Sequence, residues 1–563
     1  MKFSEMPYER PGIEQVKAEA DELKRRFAGA AGFREAEEAF LAWDRFSAHF
    51  DTMMSLAYIR HSIDTNDPFY AAEVDFIDEC SPVFTELQQS FVRLLVESPY
   101  RPGLEQKYGS LLFRNGEIFL RAFSPEIIPE TQETNRLETE YQKLIASAQI
   151  DFDGGKKTLS QLQPYKQSSD NELRRSAWRA EAGFYKEHGQ ELDELFDKLV
   201  ALRDRKARKL GYDNFIRLGY LQMNRNCYSA DDVAQFREAV VQYIVPIADR
   251  LYREQAKRTG LPYPLSFADA ALHFRDGNPK PQGTPEDILA VGRELYHELS
   301  EESGTFIDTM LQDELLDVLS KKGKAGGGYC TQLADYQVPF IFANFNGTAD
   351  DVEVITHEAG HAFAYYMARE IVPSDNQSPT LEACEIHSMT MEFFGWRKSD
   401  AFFGTDAKKF RYNHLFSAIT FIPYGTMVDH FQHLVYEQPE LSPSQRHELW
   451  KKLSAVYIPW MDLDGSPFYG EGKGWQRQLH IYENPFYYID YCLAQAVALE
   501  FWVIMQKDHA QAWERYLRLV KQAGKQTFNE LVETAGLRSP FDAGALREVA
   551  AAVTDWLSEN TLG

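Results

Sequence analysis

Cysteine is scarce in this chain of 563 residues: Cys80, Cys227, Cys330, Cys384 and Cys492 are odd in number, scattered, and never spaced C-x-x-C. That pattern excludes a disulfide framework and suits free thiols in a reducing compartment, so a cytoplasmic location is expected. Long apolar runs are missing too. No stretch of 18 or more apolar residues occurs, so no transmembrane helix is expected. The N-terminus, MKFSEMPYERPGIEQ, lacks the apolar core of a secretory signal. Positive charge is in deficit, with 60 Lys and Arg against 85 Asp and Glu and a net charge of −25. Phosphate backbones and anionic membranes both need Lys and Arg, so neither nucleic acid nor a membrane is expected as a partner. Fixed-period repeats and low-complexity tracts are absent as well.

What the chain does have is ordinary globular composition, 44% hydrophobic and 26% charged, with an aromatic share of 13% that is high. So many rings must fill cores or line a sizeable cavity. The length implies two or more domains. We expect an N-terminal helical domain over residues 1–200 and a catalytic domain over 201–563, with lobes free to interleave.

The first 150 residues read as helix after helix. VKAEADELKRRFAGA, FREAEEAFLAWDRFSAHFDTMMSLAYIRHSI and AEVDFIDECSPVFTELQQSFVRLLVES all place apolar residues three and four apart. Around Asp153-Gly154-Gly155 the pattern switches to alternation, a hairpin signal. Helices resume from Asn171 and again from Ala230. Residues Leu261 to Pro285 hold five prolines and form an irregular connection. Thr284 then reads as an N-cap with Pro285 at the first helical position. From Lys321 a glycine cluster gives way to Tyr329, Thr331, Leu333, Val338, Phe340 and Phe342, which predict a small sheet. An edge of that sheet offers strand addition to an extended peptide.

Directly after the sheet comes His357-Glu358-Ala359-Gly360-His361, an H-E-x-x-H. On a helix, residues i and i+4 share a face, so both imidazoles can reach one metal ion, while Glu358 between them can take a proton from water. Apolar flanks (Val354, Ile355, Ala359, Ala362, Phe363, Tyr366) bury the helix, and buried imidazoles and carboxylates need partners that a metal supplies. The following helical stretch, TLEACEIHSMTMEFF, offers Glu382, Glu385 and Glu392 as third ligand. Two histidines, one glutamate and an open fourth position are the layout of a catalytic zinc. Cys384 neighbours Glu385, but adjacent helical positions point about 100° apart, so a packed thiol is the better reading.

A second constellation follows in DLDGSPFYGEGKGWQRQLHIYENPFYYIDYCLAQ. Gly465, Gly470, Gly472 and Gly474 suggest a mobile loop able to close on substrate. After His480, Asn484 and Pro485 read as N-cap and first position of a helix carrying Tyr488 and Tyr491 on one face. Such His and Tyr groups can donate hydrogen bonds to an oxyanion.

With AGGGYC, VPFIFANFNGT, THEAGHAF, SPTLEACEIHSMTMEFF and HIYENPFYYIDYCLAQ in order over Gly326 to Gln495, the chain resembles the thimet-oligopeptidase-like zinc metallopeptidases, in their oligoendopeptidase F and Pz-peptidase branch. ALRDRKARKLGYDNF adds a weaker upstream match. The resemblance implies a mainly α fold with two helix-rich lobes around a deep substrate channel and a small sheet beside the zinc-binding helix. It implies one zinc ion on His357, His361 and Glu385, with Glu358 as general base. His480, Tyr488 and Tyr491 match the residues that bind substrate and polarise its carbonyl. Position 389, four after Glu385, is Met rather than the Asp of broader thermolysin-like patterns, which leaves Glu392 as the residue to orient a zinc histidine. The implied activity is hydrolysis of internal bonds in short unstructured oligopeptides. Two competitors are an exopeptidase, which would need a charged group to hold a peptide terminus, and an inactive peptide-binding protein, which would have no use for Glu358.

Overall fold

The three-and-four spacing at the N-terminus becomes helices Ile13–Ala28, Phe33–Ile63 and Pro68–Val96. The first of them buries Val16, Ala20, Leu23 and Phe27, one apolar stripe. From this stripe Phe27 packs on Phe91 of the third helix, and the second and third helices meet where Trp43 stacks on Phe91 with centroids 4.1 Å apart and Phe50 on Phe84 at 3.8 Å. The structure, a computed structural model, describes residues 1–321, 323–463 and 465–562. Helix accounts for 71% of the chain and strand for 5%, so the expected mainly α class holds.

The hairpin forms as predicted: Ile150–Phe152 pairs antiparallel with Gly155–Lys157, and Asp153 and Gly154 take φ of +49° and +73° between them. A two-residue turn with both φ positive matches the twist of the strands. Thr284 caps helix Pro285–Leu299, exchanging hydrogen bonds with Asp287. The proline-rich connection before it contains only the short strand Leu265–Ser266, which pairs parallel with Met461–Asp462.

The small sheet expected beside the motif forms, with three strands among the described residues. Val338–Phe345 lies in the middle, antiparallel to Tyr329–Leu333 and parallel to Leu316–Leu319. Tyr329–Leu333 is therefore an edge strand.

Compactness divides the chain into two units of three segments each. The first comprises Met1–Pro125, Pro281–Gly404 and Ile504–Leu537, the second Glu126–Lys280, Thr405–Val503 and Arg538–Gly563. Residue 200, the expected boundary, falls inside helix Gly189–Lys209 of the second unit. In the first unit the segments are tied by packing and hydrogen bonds: Phe3 meets Phe340 at 4.4 Å, and Thr52 Oγ1 accepts from the Asp335 N–H. Asn376 reaches the Tyr108 carbonyl, and Phe363 stacks on Trp513. In the second, buried Arg203 joins helix Gly189–Lys209 to the Tyr436 hydroxyl and the Ile481 and Tyr482 carbonyls. Helix Tyr488–Met505 is long and apolar enough to cross a membrane, but 72% of it is buried inside the protein. Its apolarity serves the core.

Candidate active site

The metal-motif helix, Asp350–Ala368, belongs to the first unit. Strand Val338–Phe345 ends at Asn346-Gly347, where Gly347 turns the chain at φ +84°. Asp351 accepts from the N–H groups of both Asn346 and Gly347 at 2.8 Å, locking the turn to the helix start. Asp350, Asp351 and Glu353 also place negative charge in the first turn, where the helix dipole favours it. His357 and His361 then emerge one turn apart, their ring centroids separated by 5.1 Å.

Helix Leu381–Phe394 comes unusually close. A Cβ on Gly360 would stand 2.7 Å from both the His387 carbonyl oxygen and Ser388 Cα, so only glycine permits this approach. The approach brings Glu385 Oε2 to 3.4 Å from His357 Nε2 and 3.5 Å from His361 Nε2. All three donor atoms lie within 4.8 Å of one another. Donors around a tetrahedral zinc with bonds of about 2.0–2.1 Å stand about 3.3–3.4 Å apart. Two imidazoles and one carboxylate at these separations fit one zinc ion and leave a fourth position open.

Partners behind the donors fix their orientation. Glu392 Oε1 lies 2.6 Å from His357 Nδ1, which keeps a proton on that nitrogen and aims Nε2 at the donor group. Ser388 donates to Glu385 Oε2 at 2.9 Å. The serine had a signal in its i+3 spacing from Glu385, but sequence reasoning passed over it. Burial would neutralise His357, yet its hydrogen bonds to Glu385 and Glu392 outweigh burial and raise its pKa well above the usual value. Burial likewise pushes Glu385 upward, and the charge and hydrogen bonds of His361 and His357 drive it well below the usual range instead.

Glu358 is different: burial raises its pKa, against the pull of His357 and His361. Its Oε1 lies beside the glycine cluster, 3.9 Å from where a Cβ on Gly328 would stand. Of the other candidates, Glu382 is fully buried and outside the donor group. Cys384 points its thiol at the Pro379 carbonyl, a packed side chain as expected.

His480, Tyr488 and Tyr491 are brought together within the second unit. His480 lies on the short helix Leu479–Glu483, its ring 4.8 Å from that of Tyr488 and 5.7 Å from that of Tyr491. His480 Nε2 is 3.5 Å from the Tyr491 hydroxyl. Gln478, which the sequence did not flag, accepts from the Tyr424 hydroxyl at 3.0 Å and donates to His480 Nδ1 at 3.0 Å. With the amide so oriented, the proton of a neutral His480 sits on Nε2, a donor. Burial, then neighbouring Tyr424, holds the Tyr488 hydroxyl well above its usual pKa, so it too remains a donor.

One local expectation needs correction here. Asn484 and Pro485 do not start the tyrosine helix: Asn484 closes the helix of His480 through its N–H to the His480 carbonyl, and the next helix begins at Tyr488. Between them Phe486 takes φ +70°, pinned by Gln432, which accepts from its N–H at 3.0 Å, and by Arg225, which donates to its carbonyl. Arg225 also pairs with Asp490 at 2.8 Å, both fully buried. Within the glycine-rich loop, Gly470 and Gly472 are closely packed. A Cβ on Gly470 would collide with the Leu463 and Ser466 carbonyls, and one on Gly472 with that of His447. Phe468, Tyr469 and Trp475 are buried around them.

Comparison with known proteins gives the following. The family model described as peptidase family M3 matches residues 164–267 and 282–551, and that described as the peptidase M3 N-terminal domain matches residues 3–123. A Pz peptidase A solved with an inhibitor superposes with a TM-score of 0.96 at 45% identity, over 99% of each chain. Oligopeptidase PepF of Bacillus subtilis (strain 168) is 24% identical over 249 residues, 42% of this chain and 36% of that protein. Group B oligopeptidase PepB of Streptococcus agalactiae serotype III (strain NEM316) is 23% identical over 385 residues, 66% of this chain and 61% of that protein. The chain thus spans less than two thirds of the length of these two curated relatives.

Proposed function

This chain belongs to peptidase family M3, and from that membership we propose that it is a zinc-dependent endopeptidase hydrolysing internal bonds of short unstructured oligopeptides. The observation that carries this reading is the close approach of His357, His361 and Glu385 with Glu358 on the intervening turn. A bound zinc would polarise the scissile carbonyl and lower the pKa of water toward about 7. Glu358 takes the proton of the attacking water and passes it to the leaving amine. Its burial suits the second half of that task, because a carboxylate with raised proton affinity can serve as base and then as acid. Glu392 holds the His357 ring through Nδ1. His480, Tyr488 and Tyr491 bind the substrate, and Tyr488, with His480 or Tyr491, donates to the oxyanion. One such donor is worth about 2.7–4 kcal/mol. The edge strand Tyr329–Leu333 presents backbone groups to an extended peptide, a mode that tolerates many sequences.

The test is a doubly end-blocked, internally quenched peptide whose products are mapped by mass spectrometry. Internal cleavage that stops with a chelator and returns with zinc supports the reading. A zinc-loaded chain that leaves the blocked peptide intact, or trims only free termini, overturns it.

A further inference from the structure

The second unit contains a cavity of about 360 Å³ whose walls include Trp178, Phe267, Phe421, Tyr424, Trp450 and Trp460. We propose that this cavity is a specificity pocket for a bulky aromatic side chain of the peptide substrate. The substrate half of this inference rests on the peptidase reading; the pocket's affinity for an aromatic ring does not.

Size comes first. Packed interiors rarely leave voids larger than a water molecule, whereas ligand sites begin at about 300 Å³. The cavity also reaches solvent, because Ser417, an exposed residue of helix Ala407–Glu437, is part of its lining.

Chemistry narrows the occupant. The lining contains one guanidinium, Arg477, whose Nη1 lies 3.7 Å from the Glu181 carboxylate, which it shares with buried Lys166. The guanidinium further sits 5.6, 5.7 and 5.9 Å from the rings of Trp178, Phe267 and Tyr469. It thus lies against these rings as a flat, stacked wall. His273, also in the lining, is kept neutral, burial and then Arg258 pushing its pKa down to about 3. The surrounding ring faces favour another ring, edge-on or offset.

Position ties the cavity to the substrate. Tyr424 is one of its walls and also a neighbour of the His480 and Tyr488 pair. Its ring lies 6.1 Å from that of Tyr488, and its hydroxyl reaches His480 through Gln478. Phe421, another wall, lies 5.7 Å from Tyr488. A carbonyl held by Tyr488 therefore has an adjacent side chain about one ring's width from the cavity.

Two readouts test this. In the first, Phe replaces Ala at each position around the cleaved bond of an end-blocked quenched peptide. The wild type is expected to prefer Phe at one position by about tenfold or more in kcat/KM, the scale that one well-filled apolar pocket gives. Ser417→Phe and Ala271→Phe fill the cavity from positions outside the His480–Tyr488 group. Both are expected to bring that preference below about threefold while cleavage of the Ala peptide changes less than about twofold. No preference in the wild type, or one that survives both substitutions, overturns the proposal. In the second, N-acetyl-phenylalaninamide is titrated while tryptophan fluorescence is followed. A saturable change that N-acetyl-alaninamide does not produce, and that Ser417→Phe abolishes, supports the pocket; no change overturns it. Binding without cleavage of any peptide would sink the peptidase reading and leave the pocket standing.

Discussion

Glu358→Gln exchanges one carboxylate oxygen for an amide and removes a proton acceptor while leaving all three donor side chains in place. The expected outcome is full zinc content with turnover lower by about 10²–10⁴-fold, measured as metal per chain and kcat on a quenched peptide. Glu392 acts one step away, through the 2.6 Å contact to His357 Nδ1. Removing such a partner weakens metal binding by about 10–100-fold, so Glu392→Ala should lose activity at low zinc and regain most of it at saturating zinc. The sequence placed Glu392 on the face of Glu385 seven residues on; its contact to a particular ring nitrogen depended on how the two helices pack. Glu483 gives a pH signature of its own. Burial, reinforced by Glu138 and opposed by Gln142, raises its pKa from 4.5 to about 7. A group with a raised folded-state pKa contributes stability below its unfolded pKa and loses it as pH rises through the folded value. Glu483→Gln should therefore be more stable than wild type at pH 8, by about 1–2 kcal/mol after allowing for partial exposure. That difference should vanish below about pH 4.5 in thermal melts.

Between elements, Gly360 decides whether the carboxylate helix can bring Glu385 to the histidines. Alanine there would gain up to about 1 kcal/mol in helix propensity. It would also force a methyl to 2.7 Å from backbone atoms that cannot rotate away, an overpacking cost of about 1–3 kcal/mol. Overpacking wins: Gly360→Ala should melt lower and bind zinc more weakly, and unchanged zinc affinity would refute the packing argument. The same scale explains which local readings succeeded. The Asp153-Gly154 turn and the Thr284 cap formed because their hydrogen bonds and φ values are settled within four residues. The Asn484-Pro485 cap did not, because Phe486 is held at φ +70° by Arg225 and Gln432, far away in the chain. The third strand, Leu316–Leu319, pairs in parallel and so lacks the tight turn that marks a hairpin.

For the whole molecule, each unit is built from three separated segments, so no single cut releases a domain. A fragment of residues 1–200 would carry the N-terminal helices without Asp335, Phe340 and Asn376, which pack on them, and would end inside helix Gly189–Lys209. It should fail to fold cooperatively, as read by circular dichroism and limited proteolysis; a sharp melting transition would refute this. Nothing local marks such a crossing. Contacts between residues hundreds of positions apart leave no period in the sequence, and Gly472 likewise is explained by His447 on another element.

The sequence by itself determined the chemistry on offer. The i, i+4 histidines with Glu358 between them, and a following helix carrying glutamates, follow from helical periodicity, which is local and survives without a partner. Periodicity left three glutamates open and the family resemblance pointed to Glu385; its approach to the two histidines depends on tertiary structure, through a helix approach that Gly360 permits. Tertiary structure also decided how His480, Tyr488 and Tyr491 are held, through Gln478, Tyr424 and the buried Arg225–Asp490 pair. Distances between side chains on different elements are set by packing, and packing is not written at any one position.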